Sequence, residues 1–529
     1  MRTISIYLMI FLLGFASCSK DLESVNDNPN NPTKVEPDFL LTTAIFETMN
    51  LYGGPMNRVV FFNYTHHFSG FQGEFQRYTY GVDDNNTYWK NTYIRCLQPV
   101  NQIELNYKNN PSYTNRVLIA RIWKDFILSN TVSIWGSIPA DGALAGTPSV
   151  PYTKEQDVYT ALLADLKVLA DSLNVTGDKY TVIADKVFGG DVLKWKKFAN
   201  SLRLRLAMRI SNADAVLAQK VVAEIYQDEQ NTMKLQAETA AATWGSTSDT
   251  WSPLYDRVVY NYTANKATIP VVNESLIYHM APYNDPRLAV YAQPAKQGPQ
   301  IGKYFGQNIS YGGGGAYANG LTNPHTGLKQ DDYSYIGERF LKPDAEYVFL
   351  SYAETCFLKA EAALKGWWGD ASQAAQYYNE GIDASLGRYG LTAQAAAYKN
   401  TPGIKWGTAS DTTGRSAAFE DWLQICSSYV PAGDNYRQII MQEWLAIPGQ
   451  GVDAWALIRR SRILEFEPQF ATYDGNYAYV PDRLLYPATE LQINAKEVQK
   501  AIPWLNGPDN LFTKLWFALP NKKNPFLPY

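Results

Sequence analysis

Aromatic side chains in polar, irregular stretches are the residues of this sequence best suited to binding chemistry. A flat ring stacks on the apolar face of a sugar, while amide, carboxylate or guanidinium groups beside it bond the sugar's hydroxyls. The chain holds 37 Tyr, 22 Phe and 14 Trp, and most of these rings are expected in the core of a protein this size. Rings in loops rich in Gly, Asn or Ser have fewer core residues to pack against, so they are better candidates for ligand binding. The candidate rings and their polar neighbours are Arg77, Tyr80, Asn85, Trp89, Trp251, Tyr255, Tyr304, Tyr311 and Tyr317.

These candidates fall in three settings. The four from 77 to 89 lie where a polar segment enters a predicted helix, and Trp251 and Tyr255 lie in a loop with Ser and Pro. The three later tyrosines flank a run of four glycines at 312–315. Long loops on a helical scaffold commonly carry binding sites. We therefore predict a ligand face built from the irregular region 231–345. The candidates at 77–89 would contribute further side chains to this face.

Motifs for catalysis or metal binding are missing from the sequence. There is no P-loop, no nucleophile elbow and no HExxH, and the glycine run lacks the strand-then-helix context of a dinucleotide site. The adjacent His66 and His67 cannot share one helical face, and the cysteines form no CxxC pair. We predict no metal, no cofactor and no enzyme activity. A surface glycoside hydrolase stays open as an alternative, because the separation of two carboxyl groups is a three-dimensional property.

The amino terminus predicts export and lipid attachment. Arg2 precedes an apolar run at residues 4–15, and small residues stand directly before Cys18. Twelve apolar residues are too few to cross a bilayer, so residues 1–17 are interpreted as a lipoprotein signal peptide and Cys18 as the lipid-bearing residue. An ordinary secretory signal with an incidental cysteine is the alternative. Residues 18–37, rich in Asn and Pro, predict a flexible tether.

Helical periodicity dominates the rest of the chain. Apolar spacings of three and four predict helices at 39–49, 116–135, 153–173, 192–210, 213–227, 350–365, 371–389 and 436–462, the last split near 448–451. Thr153 and Gln156 resemble a capping box. Residues 350–389, with small residues such as Gly381 between the paired helices, are typical of a tetratricopeptide-like hairpin. We expect a mainly all-α fold over 38–529 with long irregular insertions, minor β hairpins and a possible strand at 258–262.

Charge excludes some partners and leaves two interpretations for one helix. A net charge of −4 gives no basic face for nucleic acid. Residues 194–209 hold six basic side chains and no acidic one. They predict either an anion-binding or membrane-surface helix or, as we favour, a helix whose apolar stripe packs inward while neighbouring helices supply acidic partners.

Seven short segments in order along the chain resemble the SusD/RagB family of outer-membrane lipoproteins, in particular its second SusD-like subfamily. They are Asn-Asp-Asn-Pro-Asn-Asn-Pro-Thr at 26–33, Trp-Gly-Ser-Ile-Pro at 135–139, Lys-Trp-Lys-Lys-Phe-Ala-Asn-Ser-Leu-Arg at 194–203, Asp-Pro-Arg-Leu at 285–288, Ala-Glu-Ala-Ala at 360–363, Gln-Glu-Trp-Leu-Ala at 442–446 and Arg-Leu-Leu-Tyr-Pro at 483–487.

The resemblance implies a function as well as a fold. Such proteins are non-enzymatic surface binders built on four tetratricopeptide-like hairpins. They lie over a SusC-like TonB-dependent transporter and deliver oligosaccharides, or in some members peptides, to it. We therefore expect a glycan-binding lipoprotein of the outer membrane that faces the cell exterior and touches the membrane only through the lipid on Cys18. Peptide binding, hydrolysis, and a purely structural role in the transporter assembly are the alternatives.

Overall fold

The computed structural model describes residues 34–69, 81–144, 147, 149–261, 269–307, 328–413, 428–464 and 480–520. The α-helices of these ranges are α1 (Pro37–Gly53), α2 (Phe62–Thr65), α3 (Val82–Asn91), α4 (Gln98–Tyr107), α5 (Thr114–Trp135), α6 (Glu155–Ser172), α7 (Val192–Arg209), α8 (Ala215–Gln227), α9 (Pro253–Tyr255), α10 (Glu274–Met280), α11 (Leu288–Tyr291), α12 (Tyr352–Leu364), α13 (Ala374–Gly387), α14 (Ala395–Lys399), α15 (Asn435–Ala446), α16 (Gly451–Ser461), α17 (Ala488–Ile493) and α18 (Ala495–Ala501). Three π-helical segments, Asn57–Phe61, Thr92–Leu97 and Asp256–Tyr260, continue neighbouring helices.

The fold is mainly α-helical, and its helices pack as sequential pairs. Helices α4 to α8 each pack against the next, and α12 packs along α13. Gly381 of α13 faces the ring of Phe357 so closely that a Cβ there would lie 2.6 Å from it. The small residue is therefore required for the close approach of the two helices. The tetratricopeptide-like hairpin expected at 350–389 is confirmed.

The β structure is small and joins distant segments. Strand β1 (Phe68–Ser69) pairs antiparallel with β3 (Val271–Val272), and β2 (Ala240–Thr243) pairs antiparallel with β4 (Glu346–Leu350). Both pairs attach the irregular region to the helical body. Strands β2 and β3 belong to the irregular region, while β1 follows α2 and β4 directly precedes α12. They are not the hairpins of adjacent strands expected from the sequence.

The basic helix α7 is a buried structural element. Its Trp195, Phe198, Leu202 and Leu206 have no solvent exposure. Arg205 forms an ion pair with Glu354 of α12 at 2.6 Å and with Asp453 of α16 at 3.1 Å. Its neighbours Arg203, Arg209 and Lys197 pair with Glu224, Asp453 and Glu238. The inward-packing interpretation is confirmed, since neighbouring elements supply these carboxylates.

Two local predictions are wrong. Helix α6 begins at Glu155 without a side-chain cap, because the backbone of Thr153 is paired with Ile138 in an antiparallel bridge. The expected strand at 258–262 is a π-helical turn as far as residue 260. There the side chain of Val258 is buried against the core, and this tertiary contact overrides the strand preference of the valines.

Within the described residues, no helix is both long and apolar enough to span a bilayer.

Candidate ligand-binding surface

Three aromatic rings of the irregular region meet at the surface. The Trp251 ring lies 5.1 Å from the Tyr255 ring and 4.7 Å from the Tyr260 ring, both in edge-to-face geometry. Tyr260 is 62% exposed, and Trp251 and Tyr255 are half-buried. We call these three residues the Trp251 cluster. Sequence analysis identified two of its members and assigned Tyr260 to a strand.

The Trp251 cluster is held by the residues between its rings. Ser252 caps α9 with its hydroxyl, and its backbone N–H donates to the carbonyl of Pro343 at 2.7 Å. Leu254 and Val258 point into the core. In the π-helical turn that follows, each hydrogen bond joins residues five apart. Tyr255 and Tyr260, which are five apart, therefore lie on the same side and both contact Trp251. A surface aromatic group is thus fixed by buried anchors.

Polar groups surround these rings. The indole Nε1–H of Trp251 donates to the carbonyl of Ser246 at 2.9 Å, which fixes the orientation of the ring. Asn261 donates to the Asp256 carboxylate at 2.7 Å, and Arg257 is exposed on the same turn. Rings that offer an apolar face beside amide, carboxylate and guanidinium groups match the amphipathic surface of a sugar.

Tyr304 lies in a second part of the irregular region. It is half-buried and packs against the main core. Next to it, Phe305 stacks on Tyr333 with ring centres 5.6 Å apart, and Lys296 lies 4.9 Å above the Tyr335 ring. Among the described residues, no ring contact joins Tyr304 to these rings or to the Trp251 cluster.

Asn85 and Trp89 are core residues. The Asn85 amide donates to the Leu485 carbonyl at 2.9 Å and accepts from the Trp135 indole at 3.1 Å. Trp89 is 5% exposed, and its ring contacts Trp135 edge-on at 5.3 Å. Side chains that are buried and bonded within the protein are not available to a ligand. We therefore leave Asn85 and Trp89 out of the proposed site. Their spacing of four on α3 was the signal of a shared buried face.

The remaining expected site residues lie outside the described residues. These are Arg77, Tyr80, Tyr311, Tyr317 and the lipid-attachment candidate Cys18.

A small cavity lies beneath the Trp251 cluster. It measures about 60 Å³ and is lined by Ser252, Leu254, Phe340 and Tyr389, among others, with Arg388 and Glu346 paired at 2.6 Å on its wall. This volume holds a few water molecules. A ligand of this region would therefore lie on the open surface formed by the rings.

Buried carboxyl groups with raised pKa values have structural partners here. Burial raises the pKa of Glu155 to about 7, and Glu155 accepts the backbone N–H groups of Trp516 and Phe517. Burial raises the pKa of Glu443 to about 8, and Glu443 pairs with Arg460 at 3.3 Å. Burial therefore accounts for both raised pKa values, while the internal partners oppose the shift and occupy the carboxylate oxygens.

His67 and His279 pack among aromatic rings. His67 stacks on Trp444 with ring centres 4.5 Å apart and bonds the carbonyl of that residue at 2.9 Å. Burial lowers the pKa of His67 to about 3, so its ring is neutral. Across the ranges that the structure covers, no group of three His, Cys, Asp or Glu residues could hold a metal ion.

Comparisons with known proteins agree with this architecture. A SusD-like family model, described as starch-binding and associating with the outer membrane, matches residues 29–487. Among curated proteins, none is similar enough to the chain to count as a match.

Solved structures share the fold across nearly the whole chain. A chitin-binding protein is 24% identical with a TM-score of 0.72, covering 92% of this chain and 100% of its own. A chitin-binding SusD homologue from Flavobacterium johnsoniae is 20% identical with a TM-score of 0.72, covering 92% and 99%. A SusD homologue from Parabacteroides distasonis is 21% identical with a TM-score of 0.74, covering 92% and 99%. At these identities the likeness shows a common fold.

Proposed function

We propose that this chain, which belongs to the SusD-like family of starch-binding, outer-membrane-associated proteins, binds a glycan at the cell surface and passes it to a SusC-like TonB-dependent transporter. Family membership supports glycan binding and association with the outer membrane as general properties. The ligand site, the partner, the anchor and the orientation are parts of the proposal.

The observation that carries the binding site is the Trp251 cluster. It offers an exposed ring at Tyr260, a half-buried indole at Trp251 and polar groups on one anchored turn. A preformed aromatic surface loses little conformational entropy when a sugar stacks on it. Two structures with this fold are named chitin-binding, which supports hexose polymers as the ligand class. Tyr304, Tyr311, Tyr317, Arg77 and Tyr80 remain further candidates on the ligand face.

Binding without catalysis is the proposed activity. Members of the family are described by what they bind, and the raised-pKa Glu155 and Glu443 are committed to internal partners. Incubation with a bound polysaccharide should release no new reducing ends. Release of reducing ends would support the glycoside hydrolase alternative.

The anchor proposal concerns Cys18 and its tether. A lipid on Cys18 would hold the body at the outer membrane without a spanning helix. Wild-type protein expressed with its full leader should fractionate with membranes and stay accessible to external protease, and Cys18→Ala should fractionate as soluble protein. Co-purification with a TonB-dependent transporter tests the partner.

Affinity electrophoresis tests the binding site. Native gels containing amylopectin, glycol chitin or neither polymer would be run with wild type, Tyr260→Ala and Trp251→Ala. Loss of an aromatic anchor typically removes about 2 kcal/mol of binding, which is roughly a 30-fold weaker affinity. We expect one polymer to retard the wild type and the retardation to be largely lost in both variants.

The matched control is Trp504→Ala. Trp504 is 37% exposed and lies over Lys154 in the carboxyl-terminal part of the chain, so its removal deletes a surface indole without touching the proposed site. If Trp504→Ala loses as much retardation as Tyr260→Ala and Trp251→Ala, the loss does not depend on the Trp251 cluster and follows from removing any surface ring. Retardation by no glycan, together with binding of peptides, would replace the proposed ligand class.

A further inference from the structure

A cavity of about 520 Å³ opens between helices α4, α5 and α6, and none of its lining residues belongs to the Trp251 cluster. Its charged lining comes from all three helices and the loop after α5. It holds four carboxyl groups, those of Glu104, Asp125, Asp141 and Asp165, and two cations, those of Arg121 and Lys124. The excess of carboxylates gives the cavity an acidic character.

The two cations are already paired. Arg121 binds Asp165 at 2.6 Å and lies 3.9 Å from Glu104. Lys124 binds Glu104 at 3.3 Å. Asp125 is different: it is 5% exposed, and its buried Oδ2 has no hydrogen-bond partner among the described residues. The cavity lining therefore includes one buried carboxyl group with an oxygen, Oδ2, to which no described residue donates a hydrogen bond.

A buried, unpartnered carboxyl group is costly to ionise. Burial raises the pKa of Asp125 well above its usual range. Asp165 and Glu104 raise it further, while Lys124 and Arg121 oppose them. A cation placed beside Asp125 would reverse that balance, because an opposite charge stabilises the carboxylate.

The cavity continues into an apolar recess. A second space of about 130 Å³ shares Lys124, Leu128 and Ala140 with the first and is lined by Leu97 and Leu105. A ligand that fits both parts has a charged end and an aliphatic body. A metal ion fits less well, since the described residues form no cluster of three metal-binding side chains here.

We infer that this cavity is a binding site for an organic cation, an ammonium or guanidinium group whose N–H groups donate to Asp125 while its aliphatic stem lies towards Leu97 and Leu105. The cation could belong to a free amine or to a Lys or Arg side chain of a polypeptide. Both sources have a cationic group on an aliphatic stem. They differ in whether a polypeptide backbone is attached to that stem.

Calorimetric titration tests the inference on the whole mature chain. The probes are butylamine as a free cation, N-acetyl-lysine methylamide as a peptide-like cation, and N-acetyl-norleucine methylamide as the neutral counterpart of the lysine compound. We expect at least one cation to bind and the norleucine compound to bind at least tenfold more weakly. Preference for butylamine indicates a free amine, and preference for the lysine compound indicates a polypeptide.

Asp125→Asn is the decisive variant, because Asn keeps the shape and removes the charge. We expect at least a tenfold loss of cation affinity with an undiminished Tm. Asp157→Asn, which removes an exposed carboxylate from α6 outside the cavity, should change neither. Glycan retardation should be unchanged in both variants, so failure here is distinguishable from failure of the proposed glycan site.

Proton linkage gives a second readout. Cation binding lowers the pKa of Asp125, so binding below the pKa of the empty site releases a proton, and affinity should rise with pH until that pKa is passed. Binding that is unaffected by Asp125→Asn would overturn the inference. So would binding of the neutral probe as tightly as the lysine compound, or binding of none of the three probes.

Discussion

Replacing Arg205 by Met should destabilise the fold more than replacing any surface arginine. Its guanidinium donates to both oxygens of Glu354 at 2.6 and 2.7 Å and to the carbonyl of Phe349 at 2.8 Å, and it also pairs with Asp453. Arg205 and Glu354 are 4% and 2% exposed. Removing one partner of a buried pair costs about 3–5 kcal/mol, because the other charge is left unpaired.

Differential scanning calorimetry of Arg205→Met measures this loss. For a chain of 529 residues, an unfolding entropy of about 2 cal/mol/K per residue amounts to roughly 1 kcal/mol/K. The expected decrease in Tm is therefore about 3–5 °C. Burial raises the pKa of Glu354 even with Arg205 present, and loss of the arginine raises it further. The deficit should thus shrink as the pH falls, because protonation of Glu354 removes the unpaired buried charge.

Arg95→Met is the control for this experiment. Arg95 is 59% exposed and pairs with Glu47 at 3.2 Å, and such surface pairs contribute about 0–1 kcal/mol. Its Tm should fall by less than about 1 °C. If Arg205→Met loses no more stability than Arg95→Met, or if its deficit grows towards low pH, the buried network does not hold α7 against α12 and α16.

Two further perturbations test packing and titration. Gly381→Ala should lower the Tm by about 1–3 °C, because the new Cβ would overlap the Phe357 ring. Gly387→Ala on the same helix should not, because its Cβ would lie in ordinary contact 3.7 Å from the Thr392 hydroxyl oxygen. Equal effects would contradict the close-packing argument. Glu155 has its pKa raised from 4.5 to about 7, so wild type loses stability as pH rises through that window. The Tm of Glu155→Gln relative to wild type should accordingly increase between pH 5 and pH 8, and a decrease would show that the ionised form is the stabilising one.

The helices were predictable because local periodicity determines them. The stripe of α7 and the small residue at Gly381 both describe which face is buried, and the structure buries those faces. Thr153 and Val258 were mispredicted because their environment comes from distant segments. The bridge to Ile138 and the core contacts of the irregular region carry no local signal.

Four of the family-like motifs within the described residues, those at 135–139, 285–288, 442–446 and 483–487, are scaffold. Arg287 donates to the Gln442 side chain at 2.8 Å, and Arg483 donates to the carbonyl of Trp135 at 3.0 Å. Motifs far apart in sequence therefore bond to one another inside the body, which explains why they identify the fold and not the ligand.

The candidate site was only partly predictable. Trp251 and Tyr255 were found from their loop composition, but Tyr260 joins them through a π-helical turn that the sequence pattern does not reveal. Asp125 follows Ile122 by three residues, so its place on the buried face could have been recognised. That it is left without a partner depends on which charges of α4 and α6 pair with others.

A crystal structure of the protein with a bound oligosaccharide of the polymer that retards it tests the central claim most directly. We predict a pyranose ring stacked on Trp251 or Tyr260 at van der Waals distance, about 4 Å, with hydroxyl groups bonded to the polar side chains of residues 256–261. A sugar bound on the helical body with the Trp251 cluster empty would contradict the proposed site.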